Sequence, residues 1–425
     1  MEIFNNPDLI KNINTVLGIA FLTFVVSFLL TPLIGRLSQY VGAIDLPARL
    51  RQKTERGYNT RLHSNPYPKL GGLAMFIAMA LVAVGLLVFS NEFKNVSSYT
   101  GVLLGIIIIV VLGFLDDIYE ISGGTQILFQ FLAASMVVLS GISINSITVL
   151  GSTINFNWFS TIIDIGSLSQ VITFPGSIIT ILWIVGLINV INWVGGVDAL
   201  NGVVSSIASG TMLLLVLATG NIDLAILISI HLGAILGVLP FNYNPGKIMY
   251  GSIGDYLNGY LLAVFAILGG ARWSATIILL ALPIIDGIYV VYTRLRDFPE
   301  TRKSLSKLLS VSGYNHLHHR LLSAGYSKKM VVFTEGSIML LISIAVLMFS
   351  DIRQEYSAII TGVGIIIVVF ILVAVQMRKA EKQKRLKSAV QVVQDEMKEK
   401  EAENVVITTK VKEEGDEDKD EKFIY

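Results

Sequence analysis

The stretch GVLLGIIIIVVLGFLDDIYE, residues 101–120, decides the fold. Its first fifteen positions, 101–115, carry no charge, and Asp116, Asp117 and Glu120 follow at once. An unbroken apolar run of this kind suits a helix in lipid, because a helix satisfies its own backbone hydrogen bonds where water is absent. Outward from it, comparable runs recur at roughly residues 13–35, 70–90, 98–115, 127–146, 177–194, 202–219, 222–240, 256–270, 273–293, 331–350 and 357–377. Each is near the ~20 residues needed to cross a bilayer. The expectation is an all-α polytopic membrane protein with about eleven transmembrane helices. Such continuous runs exclude a transmembrane β-barrel, whose strands alternate apolar and polar residues. A composition of 53% hydrophobic and 15% charged residues excludes a soluble domain. The net charge of +1 decides little, and no feature suggests nucleic-acid binding. With no cysteine, a disulfide framework and a thiolate metal site are excluded as well.

Lysine and arginine set the expected orientation. The connection after the first run holds Arg49, Arg51, Lys53, Arg56, Arg61 and Lys69, and the one after the ninth holds Arg294, Arg296, Arg302, Lys303, Lys307, Arg320, Lys328 and Lys329. Opposite connections are nearly devoid of basic residues, with none from Ile147 to Gly176. Both basic loops are therefore expected in the cytoplasm, with the amino terminus outside and the carboxyl terminus inside. The first run lacks a basic leader and a small-residue cleavage site, so it is expected to be retained. Residues 1–377 read as one membrane-embedded domain, and 378–425 as a charged, partly disordered cytoplasmic tail with an acidic run from Glu413 to Glu421.

Every polar cluster suited to chemistry falls in a connection on the cytoplasmic side. Burying a single carboxylate at the bilayer centre costs roughly 2.5–3.5 kcal/mol, so the pair Asp116-Asp117 at the boundary calls for a cation. A hard divalent ion bridging to phosphates would supply it; an acidic helix end facing water is the alternative. After the fifth run, Asn192-Trp193-Val194-Gly195-Gly196-Val197-Asp198 forms a glycine-rich turn whose amides suit an anion. After the seventh, Asn242, Lys247 and Asp255 lie within fourteen residues, offering an amide for a base edge, an ammonium for a phosphate and a carboxylate. The last cytoplasmic loop contains His316-Leu317-His318-His319-Arg320, three of the five histidines in the chain. Imidazoles so grouped bind phosphate oxygens or move protons near neutral pH, unless they form a surface patch. Asp45, Arg61, His63 and Lys69 precede the glycine pair Gly71-Gly72, which suggests further phosphate contacts, or positive-inside anchoring with close helix packing.

Taken together, these segments resemble the polyprenyl-phosphate N-acetylhexosamine-1-phosphate transferases, in the WecA and TagO branch related to MraY. Asp116 and Asp117 resemble the family's Asp-Asp motif, and Asn192 and Asp198 its Asn-x-x-Asp-Gly-x-Asp turn. Asn242 and Pro245 match Phe-Asn-x-x-Pro, and His316, His318 and His319 match His-Leu-His-His-Arg-Leu. The resemblance implies transfer of a sugar-1-phosphate, GlcNAc-1-phosphate above all, from a UDP-sugar to a polyprenyl phosphate with release of UMP and a requirement for magnesium. It implies Asn192 as a magnesium ligand and catalytic roles for Asp116, Asp117, Asp198, His316, His318 and His319. Asp45, Arg61, His63, Lys69, Asn242, Lys247 and Arg320 would bind substrate. A membrane location and the two substrates as partners follow, and a homodimer stays open.

Four departures mark the chain. Gly195 stands where bacterial members carry an aspartate, Gln126 where a lysine is expected, and Gly313-Tyr314 where an aspartate and arginine precede the histidines. Ser252 replaces an acid that ligates magnesium in the family. Asp255 comes three residues later, on a helix about 4.5 Å along the axis and roughly 60° short of a full turn, close enough to serve a shifted ion. Two rival expectations are an inactive relative and a transporter, the latter resting on Asp286 and His231 within the apolar runs.

Overall fold

The computed structural model describes residues 7–47, 66–89, 99–149, 152–165, 168–270, 273–304, 307–308 and 316–348. The helices are α1 (Pro7–Tyr40), α2 (Gly71–Phe89), α3 (Thr100–Tyr119), α4 (Gly123–Leu139), α5 (Gly176–Val194), α6 (Leu200–Leu217), α7 (Ile222–Asn242), α8 (Gly251–Leu268), α9 (Trp273–Leu279), α10 (Ala281–Asp297), α11 (Leu317–Ser323) and α12 (Lys328–Met348). Among the described residues, eight helices are long and apolar enough to cross a membrane: α1, α2, α3, α5, α6, α7, α8 and α12.

The expected fourth span is the shorter α4, capped by the Ser122 hydroxyl, which accepts from the Thr125 N–H. The expected ninth span is broken at Leu280 into α9 and α10. Pro283 accounts for the break, since a proline fits the first turn of a helix but not its interior. The expected eleventh span at 357–377, the tail 378–425, Arg61 and His63 lie outside the described residues.

One expectation is corrected. The chain is mostly helical rather than all-α, because two antiparallel strand pairs lie between Ser146 and Pro175. Strand β3 (Ser146–Val149) pairs with β4 (Ser152–Asn155), and β5 (Asn157–Ile165) with β6 (Leu168–Pro175), Ile162 facing Val171 and Phe159 facing Phe174. Their β-branched and aromatic residues favour strand over helix. A shorter ladder of β1 (Ile44–Asp45) and β2 (Tyr67–Pro68) pairs Asp45 with Tyr67.

Helix α8 is the centre of the bundle. Of its apolar window 78% is buried, against 28% for α1 at the periphery. It packs on α2, α3, α5 and α6, while α1 lies on α7 and α12 on α6. The tight crossings are made by residues without side chains: a β-carbon at Gly72 would strike the Gly254 backbone, one at Gly113 the Ile253 backbone, and one at Gly259 the Ile188 backbone. Lipid gives helices no hydrophobic drive to associate, so close backbone contact at small residues holds such bundles together. Backbone bonds tie the start of α2 to the start of α8, from Gly71 N–H to Met249 C=O at 2.9 Å and from Gly72 N–H to Tyr250 C=O at 2.7 Å. Those two helix starts, the end of α3 and the α5–α6 turn thus come to one end of the bundle.

Candidate active site

The site begins where α3 ends and α8 starts. Asp117, 3% exposed, accepts the Ser252 N–H at 2.8 Å and the Ile253 N–H at 3.3 Å. These first-turn amides have no partner within their own helix, and a carboxylate there also meets the positive end of the helix dipole. The turn into α8 needs Gly251, whose φ is +69° and whose absent side chain would collide with the Asp117 carboxylate and the Lys69 carbonyl.

Asp116 is held by side chains. Its Oδ2 accepts from the Ser252 hydroxyl at 2.7 Å and the Tyr256 hydroxyl at 3.1 Å, and its Oδ1 from the Gln126 amide at 2.9 Å. Two positions that depart from the family pattern, Gln126 and Ser252, therefore grip opposite oxygens of one carboxylate. Tyr256, one helical turn after Ser252, was not singled out by the sequence. Its signal was only that i, i+4 spacing.

Asp255 is the fifth residue of α8, so the 252–255 segment is helical as the displacement argument requires. It sits within electrostatic reach of Asp117. Its Oδ1 is buried without a hydrogen-bond partner, and its other oxygen faces Gly195. Gly195 also abuts the Asn192 carbonyl, which accepts its N–H at 3.0 Å. The next residue, Gly196, faces the His318 Nε2, a buried nitrogen that likewise lacks a hydrogen-bond partner. A two-glycine turn thus separates the Asp255 carboxylate from the His318 ring.

Around that turn the structure is braced. Ala199 adopts a left-handed φ of 69°, and its N–H donates to the Asn242 Oδ1 at 2.7 Å, while the Asn242 amide donates to the Ile248 carbonyl at 2.9 Å. Asn242 therefore fixes the turn with both ends of its side chain. Asp198 accepts on one oxygen from the Asn244 amide at 2.8 Å and the Lys328 ammonium at 3.2 Å. Asp198, Asn242, Asp255 and Gly195 line a narrow cleft.

The histidines form the adjoining wall. Asp286 accepts from the His316 Nδ1 at 2.9 Å and from the Leu317 N–H at 2.8 Å, so it both orients a ring and starts α11. His316 stacks on His318 with centroids 5.3 Å apart and approaches Trp193, which lies under the Arg294 guanidinium. His318 is held well below the ordinary histidine range by burial and then by His319 and His316, and His319 falls to about 4 through burial and His316, with Asp286 opposing. Both rings are therefore neutral at physiological pH and able to donate and accept hydrogen bonds. Arg320 packs over Tyr289.

Lys69 pairs with Asp45 at 4.0 Å beside the β1–β2 ladder, and it reaches Asp117 electrostatically. Lys247 is exposed at the edge of the 243–250 segment. The transporter candidates are engaged elsewhere, Asp286 as above and His231 between the Ser209 hydroxyl at 3.1 Å and the Asn258 amide oxygen at 3.0 Å. Among the described residues no three histidine or acidic side chains form a metal cage.

A family model for glycosyl transferase family 4 matches residues 99–270, the stretch from α3 through α8 that carries the acid pair, the glycine turn and Asp255. That stretch of the chain is similar to this family. Relatives extend the match beyond that core. A probable undecaprenyl-phosphate N-acetylglucosaminyl 1-phosphate transferase of Bacillus subtilis is 29% identical over 351 residues, covering 81% of this chain and 88% of the relative. A decaprenyl-phosphate N-acetylglucosaminephosphotransferase of Mycobacterium leprae is 26% identical over 72% of this chain and 77% of its own length. A phospho-N-acetylmuramoyl-pentapeptide-transferase of Streptococcus equi subsp. zooepidemicus is 26% identical over 73% and 93%. The family and these relatives bear out the resemblance read from the motifs.

Proposed function

We propose that this protein transfers a sugar-1-phosphate, GlcNAc-1-phosphate above all, from a UDP-sugar to a polyprenyl phosphate at the cytoplasmic face of the cell membrane. The basic loops after α1 and after α10 support that sidedness. The observation that carries the reading is the cleft that Asp198 and Asp255 share beside the buried rings of His318 and His319. In this reaction an oxygen of the lipid phosphate bonds to the β phosphorus of the UDP-sugar. The bond from that phosphorus to the bridging oxygen breaks, its electron pair leaves with UMP, and the sugar ends on a lipid diphosphate.

Joining two anions is a problem of positioning and charge. Asp116 and Asp117 act as positioning groups in this scheme, because α8 already engages both carboxylates and is thereby aimed at the cleft. The buried, unpartnered Asp255 oxygen fits a hard divalent ion, and one or two oxygen ligands plus substrate phosphates are what magnesium takes. Asp255 and Asn192 would hold magnesium, which when bound neutralises phosphate charge. His318 and His319 would donate to phosphate or sugar oxygens. Asp286 keeps the neighbouring His316 in register.

Purified full-length protein in detergent, given UDP-GlcNAc, undecaprenyl phosphate and magnesium, should release UMP, and Asp255→Asn should abolish most of that release. No UMP from any UDP-sugar would overturn the proposal.

A further inference from the structure

From the first residue of α12 the Lys328 ammonium reaches Asp198, a residue of the cleft lining 130 positions away in sequence. Its side chain is only 21% exposed and that of Asp198 only 12%, whereas the adjacent Lys329 is exposed. Asp198 Oδ2 already takes the Asn244 amide at 2.8 Å, so it stays hydrogen-bonded if the ammonium leaves. The cleft itself is lined by the two acids Asp198 and Asp255. A diphosphate entering it meets repulsion from both unless a mobile cation is at hand, and a lysine on a flexible four-carbon stem is suited to that.

We propose that Lys328 is a phosphate-binding residue that exchanges partners, pairing with Asp198 in the empty cleft and with a diphosphate oxygen of the bound nucleotide. This role rests on the UDP-sugar reading above. It assigns to α12 a part in substrate binding that the loop motifs do not contain, and it makes release of Asp198 a consequence of nucleotide binding.

Calorimetric titration of the full chain in detergent, with magnesium present and UDP or uridine as the probe, tests it. Lys328→Met should weaken UDP binding about tenfold or more, the scale of a lost charge-assisted hydrogen bond. It should also reduce the salt dependence of UDP binding and leave uridine binding unchanged. Lys328→Arg should retain most of the affinity, and Lys329→Met should behave as the parent. If Lys328→Met binds UDP within twofold of the parent, or loses UDP and uridine equally, the ion pair is merely structural and the proposal falls. A parent chain that binds no UDP removes the transferase reading and this role with it, whereas UDP binding indifferent to residue 328 removes this role alone.

Discussion

Gly195 and Asp255 compete for one space: a β-carbon on Gly195 would overlap the Asp255 carboxylate. Glycine at 195 therefore leaves the room that the Asp255 carboxylate takes.

Replacing the glycine by a larger residue should consequently harm the parent and be rescued at the second position. Gly195→Asp is expected to destabilise by about 1–3 kcal/mol, the usual cost of overpacking, with like-charge repulsion added. Asp255→Ser in that background should restore much of the thermal midpoint measured in detergent. Strictly additive losses in the double variant would show that the two side chains do not share the space.

Ser252 and Gln126 make a second coupled pair through Asp116. Ser252→Ala removes one hydrogen bond, worth about 1 kcal/mol. Ser252→Asp should be worse, since it sets a second carboxylate against Asp116, and two acids at that distance resist ionising together. Adding Gln126→Lys should recover stability and UMP release by supplying a cation at the other Asp116 oxygen. If Gln126→Lys is equally harmful with serine or aspartate at 252, the coupling through Asp116 is absent.

The sequence carried the helices well where apolar length was the only requirement, as in α2, α3 and α5. It could not carry the break at Leu280, because a proline three residues into a helix is locally harmless and leaves the hydropathy unbroken. Nor did hydropathy separate the β5–β6 ribbon from connecting chain. Asp116, Asp117, Asp198 and the histidines were legible as polar clusters at the ends of apolar runs. Their partners were not. Lys328 and Asp198 meet only because α12 packs against α6, and Tyr256 looked like one more aromatic in an apolar helix.

The histidine wall gives the protein an acid limit. An unfolded histidine titrates near ~6.5, while folded His319 titrates at about 4, so between those values the unfolded chain binds a proton that the folded chain refuses. The group's contribution to stability is thus complete above the unfolded value and declines as the pH falls toward 4. His318 acts in the same direction. The thermal midpoint should fall from about pH 6.5 downward, and His319→Gln should fall less steeply. A variant as acid-sensitive as the parent would show that His319 is not the group responsible.

Removing the metal should expose the role of Asp255. Chelation is expected to stop UMP release, and restored magnesium to return it. Asp255→Asn keeps the shape of the side chain and removes its charge, so the magnesium concentration for half-maximal release should rise about tenfold or more, as when a carboxylate in a metal site is altered. Because the buried Asp255 oxygen lacks any protein partner, loss of its charge should also spare the apo protein and raise its midpoint slightly. The stabilisation that magnesium with UDP gives the parent should shrink in the same variant, a readout that needs no turnover. Unaltered magnesium dependence in both assays would place the ion elsewhere and leave Asp255 as a buried acid without that task.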